Sequence, residues 1–306
     1  MKILKEDNAV IEMIKNTLSY KMLYAKPMEI YRREGKLPAQ KDMARIEKIL
    51  QDPLLKDRKN LLSFQDHKYA YYINSLCYEL TGDKANSNKY RKKLVELMES
   101  HPEQIKDGMG NYIIALNSYI ISCWNLKHYD ALLKTFQKVK ALSLEQMANS
   151  LDIQVRLLIC HTNILGFYVQ AGVFKKGLEI MSEIESKFAS AIPAINKVYA
   201  NSIHYSFAVM YFAVDDYTKS LFWLNKIIND RDESRQDVLA LARVVNLIIH
   251  YELGHETLAE YLVRSTYRFL YKRKKLLRSE ILILEFVRKA VKTGHRDAII
   301  DNLKFL

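Results

Sequence analysis

The 306-residue sequence predicts an all-α fold, a right-handed solenoid of stacked helical hairpins, from three observations. A helix-turn-helix phrase returns at nearly fixed intervals. Glycine and proline are scarce, at 9 and 5 residues, which disfavours sheets rich in tight turns and suits long helices on short loops. The segments after each turn carry apolar residues at the helical i, i+3, i+4, i+7 spacing.

The phrase reads Leu80-Thr81-Gly82-Asp83-Lys84, then Leu126-Lys127-His128-Tyr129 and Ala171-Gly172-Val173-Phe174. It continues as Val214-Asp215-Asp216-Tyr217, Leu253-Gly254-His255-Glu256 and Thr293-Gly294-His295-Arg296. Equivalent residues fall at 84, 129, 174, 217, 256 and 296, so the steps are 45, 45, 43, 39 and 40. A period of about 20–50 residues marks stacked repeats. It overrides the two globular domains that ~150 residues per domain would suggest.

Residues 1–63 stand outside the period and read as an irregular helical cap. Val10, Ile11, Met13, Ile14 and Leu18 predict a first helix. Pro27 and the stretch from Gly35 to Pro38 are expected to break the chain after it, and a short helix runs from about Asp42 to Leu50. Residues 64–306 hold the repeats. Their first helices span Tyr69–Tyr78, Tyr112–Trp124, Leu157–Tyr168, Tyr199–Phe212, Val238–Leu253 and Ser279–Val291. The second helices are amphipathic, as in Tyr129, Leu132, Leu133, Phe136 and Val139, or Phe174, Gly177, Leu178, Met181 and Ile184. The apolar end, Leu303 to Leu306, is the pattern expected where a further repeat or an effector domain comes next.

These units resemble tetratricopeptide repeats. That motif has a small residue in the first helix, an aromatic three on, a Gly-Asp-like turn, an aromatic opening the second helix, and then a small and a bulky residue. Ala208, Tyr211, Asp216, Tyr217, Ser220 and Leu224 fill it, as do Tyr168, Gly172, Phe174, Gly177 and Met181, with Leu165 in the small slot. Ser75, Tyr78, Gly82 and Asp83 match in the first unit, Gly254 and Ala259 in the fifth. The likeness covers roughly residues 64–306 and is degenerate. The period of 39–45 exceeds the family's, the second turn has no glycine, and the closing proline is missing or displaced to Pro102 and Pro193. It is similar to the divergent tetratricopeptide proteins common in Bacteroidetes. The resemblance implies helices longer than the family's and a role in binding.

Composition narrows the function classes. The three cysteines, Cys77, Cys123 and Cys160, lie far apart in apolar helical stretches, so free buried thiols in a reducing compartment are expected. The charged start and the lack of a span of ~20 apolar residues predict neither export nor membrane insertion, so the location read is cytoplasmic. No phosphate loop, nucleophile elbow or carboxylate pair is legible, and an enzyme, a cofactor or a metal site is not expected. His250 and His255 lie five apart with Gly254 between them, which misses the four-residue zinc spacing. Cys160 and His161 are adjacent and point to different faces.

Two surfaces are candidates for binding. The first is a concave groove of first-helix residues: Tyr71, Asn74, Tyr78, Asn117, Asn163, Tyr168, Asn201, His204, Tyr211 and Asn246. The asparagines recur at steps of 43, 46, 38 and 45 and would offer amides to an extended protein or peptide partner, an acidic one given the net charge of +12. The second is a basic stripe, Arg264, Arg268, Lys272, Arg273, Lys274, Lys275 and Arg278, beside Tyr267 and Tyr271. Between Arg264 and Lys292 ten basic residues face two acidic ones, a net +8 that would suit nucleic acid as the alternative partner.

Overall fold

The structure is a computed structural model that describes residues 2–34, 38–142, 150–230 and 236–272, with Leu282 and Glu285 beyond them. Every regular element among these residues is a helix, as expected. The last hairpin and its turn at Gly294 lie outside the described residues. The chain forms two compact units, residues 1–160 and 161–306. The first holds α1 (Lys2–Glu34), α2 (Gln40–Leu50), α3 (Pro53–Lys56), α4 (Phe64–Leu80), α5 (Lys84–Glu99), α6 (Pro102–Asp107), α7 (Met109–Asn125) and α8 (Tyr129–Lys140). The boundary falls within α9 (Leu151–Gln170). The second unit continues with α10 (Phe174–Lys187), α11 (Lys197–Phe212), α12 (Tyr217–Ile228), α13 (Gln236–Glu252) and α14 (Glu256–Lys272).

All five second helices, α5, α8, α10, α12 and α14, begin at the residue the repeated phrase marks. The turns explain that regularity. One residue in each adopts a left-handed conformation: Gly82, Lys127, Gly172, Asp215 and Gly254, with φ of 79°, 60°, 66°, 59° and 74°. In the last four turns the next residue's N–H donates to a carbonyl five back: His128 to Cys123, Val173 to Tyr168, Asp216 to Tyr211 and His255 to His250. The left-handed residue itself donates three back, which completes a Schellman closure of the first helix. The following residue already caps the second helix, and the Asp83 and Asp216 carboxylates accept from the backbone N–H of Asn86 and Lys219. One left-handed residue thus ends one helix and starts the next. Lys127 and Asp215 take that conformation without being glycine, which is why the second turn escapes a glycine search.

Five residues past each left-handed position sit Ser87, Leu132, Gly177, Ser220 and Ala259, all buried against the first helix of their hairpin or its neighbours. In two hairpins the contact is the same hydrogen bond. Ser87 Oγ donates to the Ser75 carbonyl at 2.9 Å, and Ser220 Oγ donates to the Ala208 carbonyl at 2.8 Å. A small hydroxyl side chain meets the facing backbone only where two helices approach closely.

The N-terminal segment departs from expectation. α1 runs unbroken through Pro27, although proline removes one helical N–H. Packing on both sides of the proline holds the helix: Tyr20, Leu23 and Ile30 are buried with Ile46, Ile49, Ala70 and Ile73. Each such side chain contributes about 2 kcal/mol of transfer free energy. Asp66 ties α1 to the start of α4. Its buried carboxylate accepts from Asn16 Nδ2, Thr17 Oγ1 and the backbone N–H of Leu62 and Ser63. With the Ser63 hydroxyl accepting from Asp66 N–H, this is a complete capping box. Val10, Ile11, Met13, Ile14 and Leu18, which signal the helix in sequence, are exposed.

Two stability effects are expected. A Cβ at Gly82 would meet nothing within 4 Å, so Gly82→Ala tests backbone strain alone and should cost about 1 kcal/mol in urea unfolding. Lys127→Gly should gain a fraction of that. At Gly177 a Cβ would lie 2.0 Å from Met210 Cε and 2.6 Å from its Sδ, in a fully buried side chain that would have to shift, and an ordinary 3.6 Å from Tyr168 Cβ. Gly177→Ala should cost less than Gly177→Leu, which should cost about 1–3 kcal/mol, part of it recovered by adding Met210→Ala. A thermal melt of the three variants checks the order.

Candidate binding surface

The left-handed residues supply a common origin, and one cluster recurs when positions are counted from it. Eleven residues before it on the first helix stand Tyr71, Leu116, His161, His204 and Arg243. Eight and eleven residues after it, on the second helix, stand Tyr90 and Lys93, Thr135 and Lys138, Ile180 and Glu183, Trp223 and Lys226, and Leu262 and Ser265. Members of the set touch in the first, third and fourth hairpins, whereas Lys138 of the second pairs with Glu99 and Arg243 of the fifth lies over Phe269. In the first hairpin the Tyr71 and Tyr90 rings lie 6.1 Å apart, and Lys93 Nζ stands 6.0 Å and 5.3 Å from their centroids. Tyr78 stacks on Tyr90 at 5.8 Å. In the fourth hairpin His204 packs 5.3 Å from Trp223, and Lys226 Nζ stands 4.6 Å from the Trp223 ring. In the third, His161 Nε2 approaches Glu183 Oε2 at 3.5 Å.

Tyr71, Tyr90, Lys93, His204 and Trp223 are half-buried, with an apolar body set in the helix interface; Leu116, Thr135, His161 and Ile180 are buried, and Lys138 and Lys226 are exposed. Lys93 and Lys226 pair with no carboxylate among the described residues, and a cation over an aromatic face is worth about 0.5–1 kcal/mol at such sites. His204 Nδ1 and Arg243 Nε are buried with no hydrogen-bond partner. Burial holds the His204 imidazole down at about 4, and the Lys226 ammonium adds to the effect. Burial likewise lowers the Arg243 guanidinium, which lies over the Phe269 ring at 4.7 Å. The backbone frame is constant between hairpins while the chemistry it presents varies.

The residues expected to line a groove separate into two groups. Tyr71 and His204 belong to the recurring cluster, and Tyr78, four residues before the turn like Tyr168 and Tyr211, stacks on its Tyr90. Tyr211 is half-buried on α11 with Lys219 Nζ 5.1 Å from its ring, and Tyr168 on α9 packs 5.2 Å from Phe167. The asparagines do not form a ladder. Asn74 and Asn246 lie eight residues before the left-handed position, but Asn117, Asn163 and Asn201 lie ten, nine and fourteen before it. At about 100° per residue these offsets point around different sides of the helix. Asn74, Asn201 and Asn246 are buried, and the Asn74 amide donates to the Ala70 carbonyl of its own helix at 2.8 Å.

On α14 the basic stripe is less uniform than its sequence. Arg264 pairs with Glu260 at 3.2 Å, and Arg268 Nε donates to the Arg264 carbonyl. Tyr267 and Tyr271 are exposed and stack in parallel at 6.3 Å. Lys272 ends the helix; Arg273, Lys274, Lys275 and Arg278 lie outside the described residues.

Cys77, Cys123 and Cys160 are free and buried. Burial raises all three thiols, Cys77 and Cys160 to about 12, which disfavours the thiolate. The turn at Gly254 folds His255 back, so His250 Nδ1 and His255 Nδ1 meet at 3.0 Å, a contact that no continuous helix would allow at this spacing. Among the described residues no group of three or more His, Cys, Asp or Glu side chains could hold a metal, and no helix is long and apolar enough to cross a membrane.

No family model, curated protein or solved structure matches this chain. The sequence carries a trace of the cluster: Tyr90 and Trp223 lie at one offset from the residues the repeated phrase marks, with Lys93 and Lys226 three further on, but that these positions meet one another is visible only in the structure.

A pH dependence arises from His204. Its folded-state value near 4 lies below the unfolded ~6.5, so the unfolded chain binds the extra proton between them. Its contribution to stability is therefore full above about pH 6.5 and falls as pH drops towards 4. Urea midpoints across that window should decline less steeply in His204→Gln than in the wild type.

Proposed function

We propose that this chain is a non-catalytic binding scaffold of the tetratricopeptide type, cytoplasmic, whose stacked hairpins form a right-handed solenoid that holds protein segments bearing acidic side chains. The observation that carries this is the recurring cluster. A repeated backbone frame bearing different side chains at equivalent positions, half-exposed in the first and fourth hairpins at Tyr71, Tyr90, His204 and Trp223, is how repeat proteins vary what they bind. Two of the three occupied clusters present a lysine over aromatic rings without a carboxylate partner, a pairing that acidic side chains complement. Free thiols raised by burial fit a reducing compartment and supply no nucleophile.

The test is affinity capture from a nuclease-treated native lysate at moderate salt, with the wild type beside Lys93→Glu and Lys226→Glu. Acidic polypeptides should be retained by the wild type and lost, at least tenfold, with the charge reversals. Equal retention by all three chains would rule the reading out.

A nucleic-acid reading keeps one specific support, the exposed parallel Tyr267–Tyr271 pair beside Arg264 and Arg268, which is a platform on which bases stack. The two readings differ in salt response. Phosphate contacts would make log Kd climb steeply and linearly with log salt, whereas aromatic and amide contacts respond weakly.

A further inference from the structure

Lys68 carries a charge with no carboxylate partner among the described residues. It stands half-buried on α4, with Nζ 5.5 Å from the Tyr69 ring centroid and 5.8 Å from that of Phe64. Lys21, on α1, reaches the same Tyr69 ring at 5.9 Å. Neither lysine pairs with a carboxylate among the described residues. Asp66, two residues before Lys68, is committed to Asn16, Thr17 and two backbone amides. Burial lowers the Lys68 ammonium and the like charge of Lys21 lowers it further, so the pair costs stability as it stands.

Beside Lys21 an open hollow of about 510 Å³ runs along α1, walled by that helix alone: Lys21, Tyr24, Ala25, Met28, Glu29 and Arg32 line it. Arg33, which also borders it, is engaged by Asp42 and Glu29, whereas Arg32 has no ion pair among the described residues. The Tyr24 ring links hollow and lysines, lying 5.9 Å from Tyr69 and 5.7 Å from Tyr72. Lys21 and Arg32 are eleven residues apart on one helix face, about 16 Å, with an apolar floor of Ala25 and Met28 between them.

We propose that Lys21 and Lys68, converging on Tyr69, form a binding site for a phosphate dianion, with the α1 hollow taking the body to which the phosphate is attached. Two unpaired ammonium groups match a charge of two, which one carboxylate does not supply. Lysine serves phosphate as a compact point charge with three donors. The open hollow offers one face only, on which the Tyr24 ring and Met28 suit a flat apolar body lying against α1. This site lies apart from the recurring cluster and stands whether or not a protein partner binds there.

The experiment is titration calorimetry of the full chain at fixed ionic strength in chloride, with inorganic phosphate in one arm and adenosine monophosphate in the other. Saturable binding is expected, weakened at least tenfold by Lys68→Met and by Lys21→Met and unchanged by Lys134→Met on α8. Tighter binding of adenosine monophosphate would assign a nucleotide-like ligand, and equal binding would assign phosphate alone. Without ligand, Lys68→Met should melt no lower than the wild type, because it removes a like-charge neighbour. If phosphate does no more than chloride, or both lysine variants bind as the wild type does, the site is refuted. Should Lys68→Met fail to fold, the exposed Lys21→Met decides alone.

Discussion

Everything regular in this chain depends on one backbone constraint, a single left-handed residue between the two helices of each hairpin. In four of the five described turns it closes the first helix by a five-residue back-bond, and in all five the next residue caps the second. With no slack in the connection, the angle and register of the second helix are set by covalent geometry. Small buried residues five positions on can then meet the facing backbone directly, as Ser87 and Ser220 do with the same hydroxyl-to-carbonyl bond. The conformation outweighs residue type. Glycine takes it without penalty, yet Lys127 and Asp215 take it too, because packing on both sides of the turn repays the ~1–2 kcal/mol of strain.

A fixed register makes positions equivalent across hairpins, and equivalence is what turns side-chain variation into a binding surface. The slot eleven residues before the turn carries Tyr71, His161, His204 and Arg243 in four different settings. Its partners on the second helix supply a ring and a cation, or a carboxylate, or neither. These changes leave the small slot and the helix closure untouched, since both lie elsewhere on the hairpin, although Leu116, Thr135, His161 and Ile180 are themselves buried. Cost is visible in the unpartnered His204 Nδ1 and Arg243 Nε, polar atoms that a purely structural interface would have satisfied. Stability given up at half-exposed polar positions is the pattern expected of surfaces kept for binding.

Charge shows the same division. Ion pairs on the outer helix faces, such as Lys176–Glu179 and Arg264–Glu260, are exposed and contribute little. Four of the lysines over aromatic rings are different: Lys21, Lys68, Lys93 and Lys226 lack a carboxylate among the described residues, whereas Lys219 over Tyr211 is paired with Asp216. Their uncompensated charge accounts for part of the net +12 and locates it at places where a ligand's anion would meet rings already in position.

By itself the sequence determined the all-α class, the hairpin boundaries and the buried state of the cysteines, since helix period, turn phrase and apolar context are local properties. All five second-helix starts were readable because a left-handed turn leaves a compositional trace on its neighbours even where the glycine is absent. The unbroken α1 was not readable. Pro27 argues for a break locally, and only the burial of Tyr20, Leu23 and Ile30 on either side overrides it. The asparagine series is periodic in chain spacing alone. Direction around a helix depends on the offset from the turn, and an error of one residue rotates a side chain by about 100°. The recurring cluster, the Lys21–Lys68 convergence and the meeting of His250 with His255 were decided by tertiary structure, because each joins side chains whose distance depends on how two helices pack.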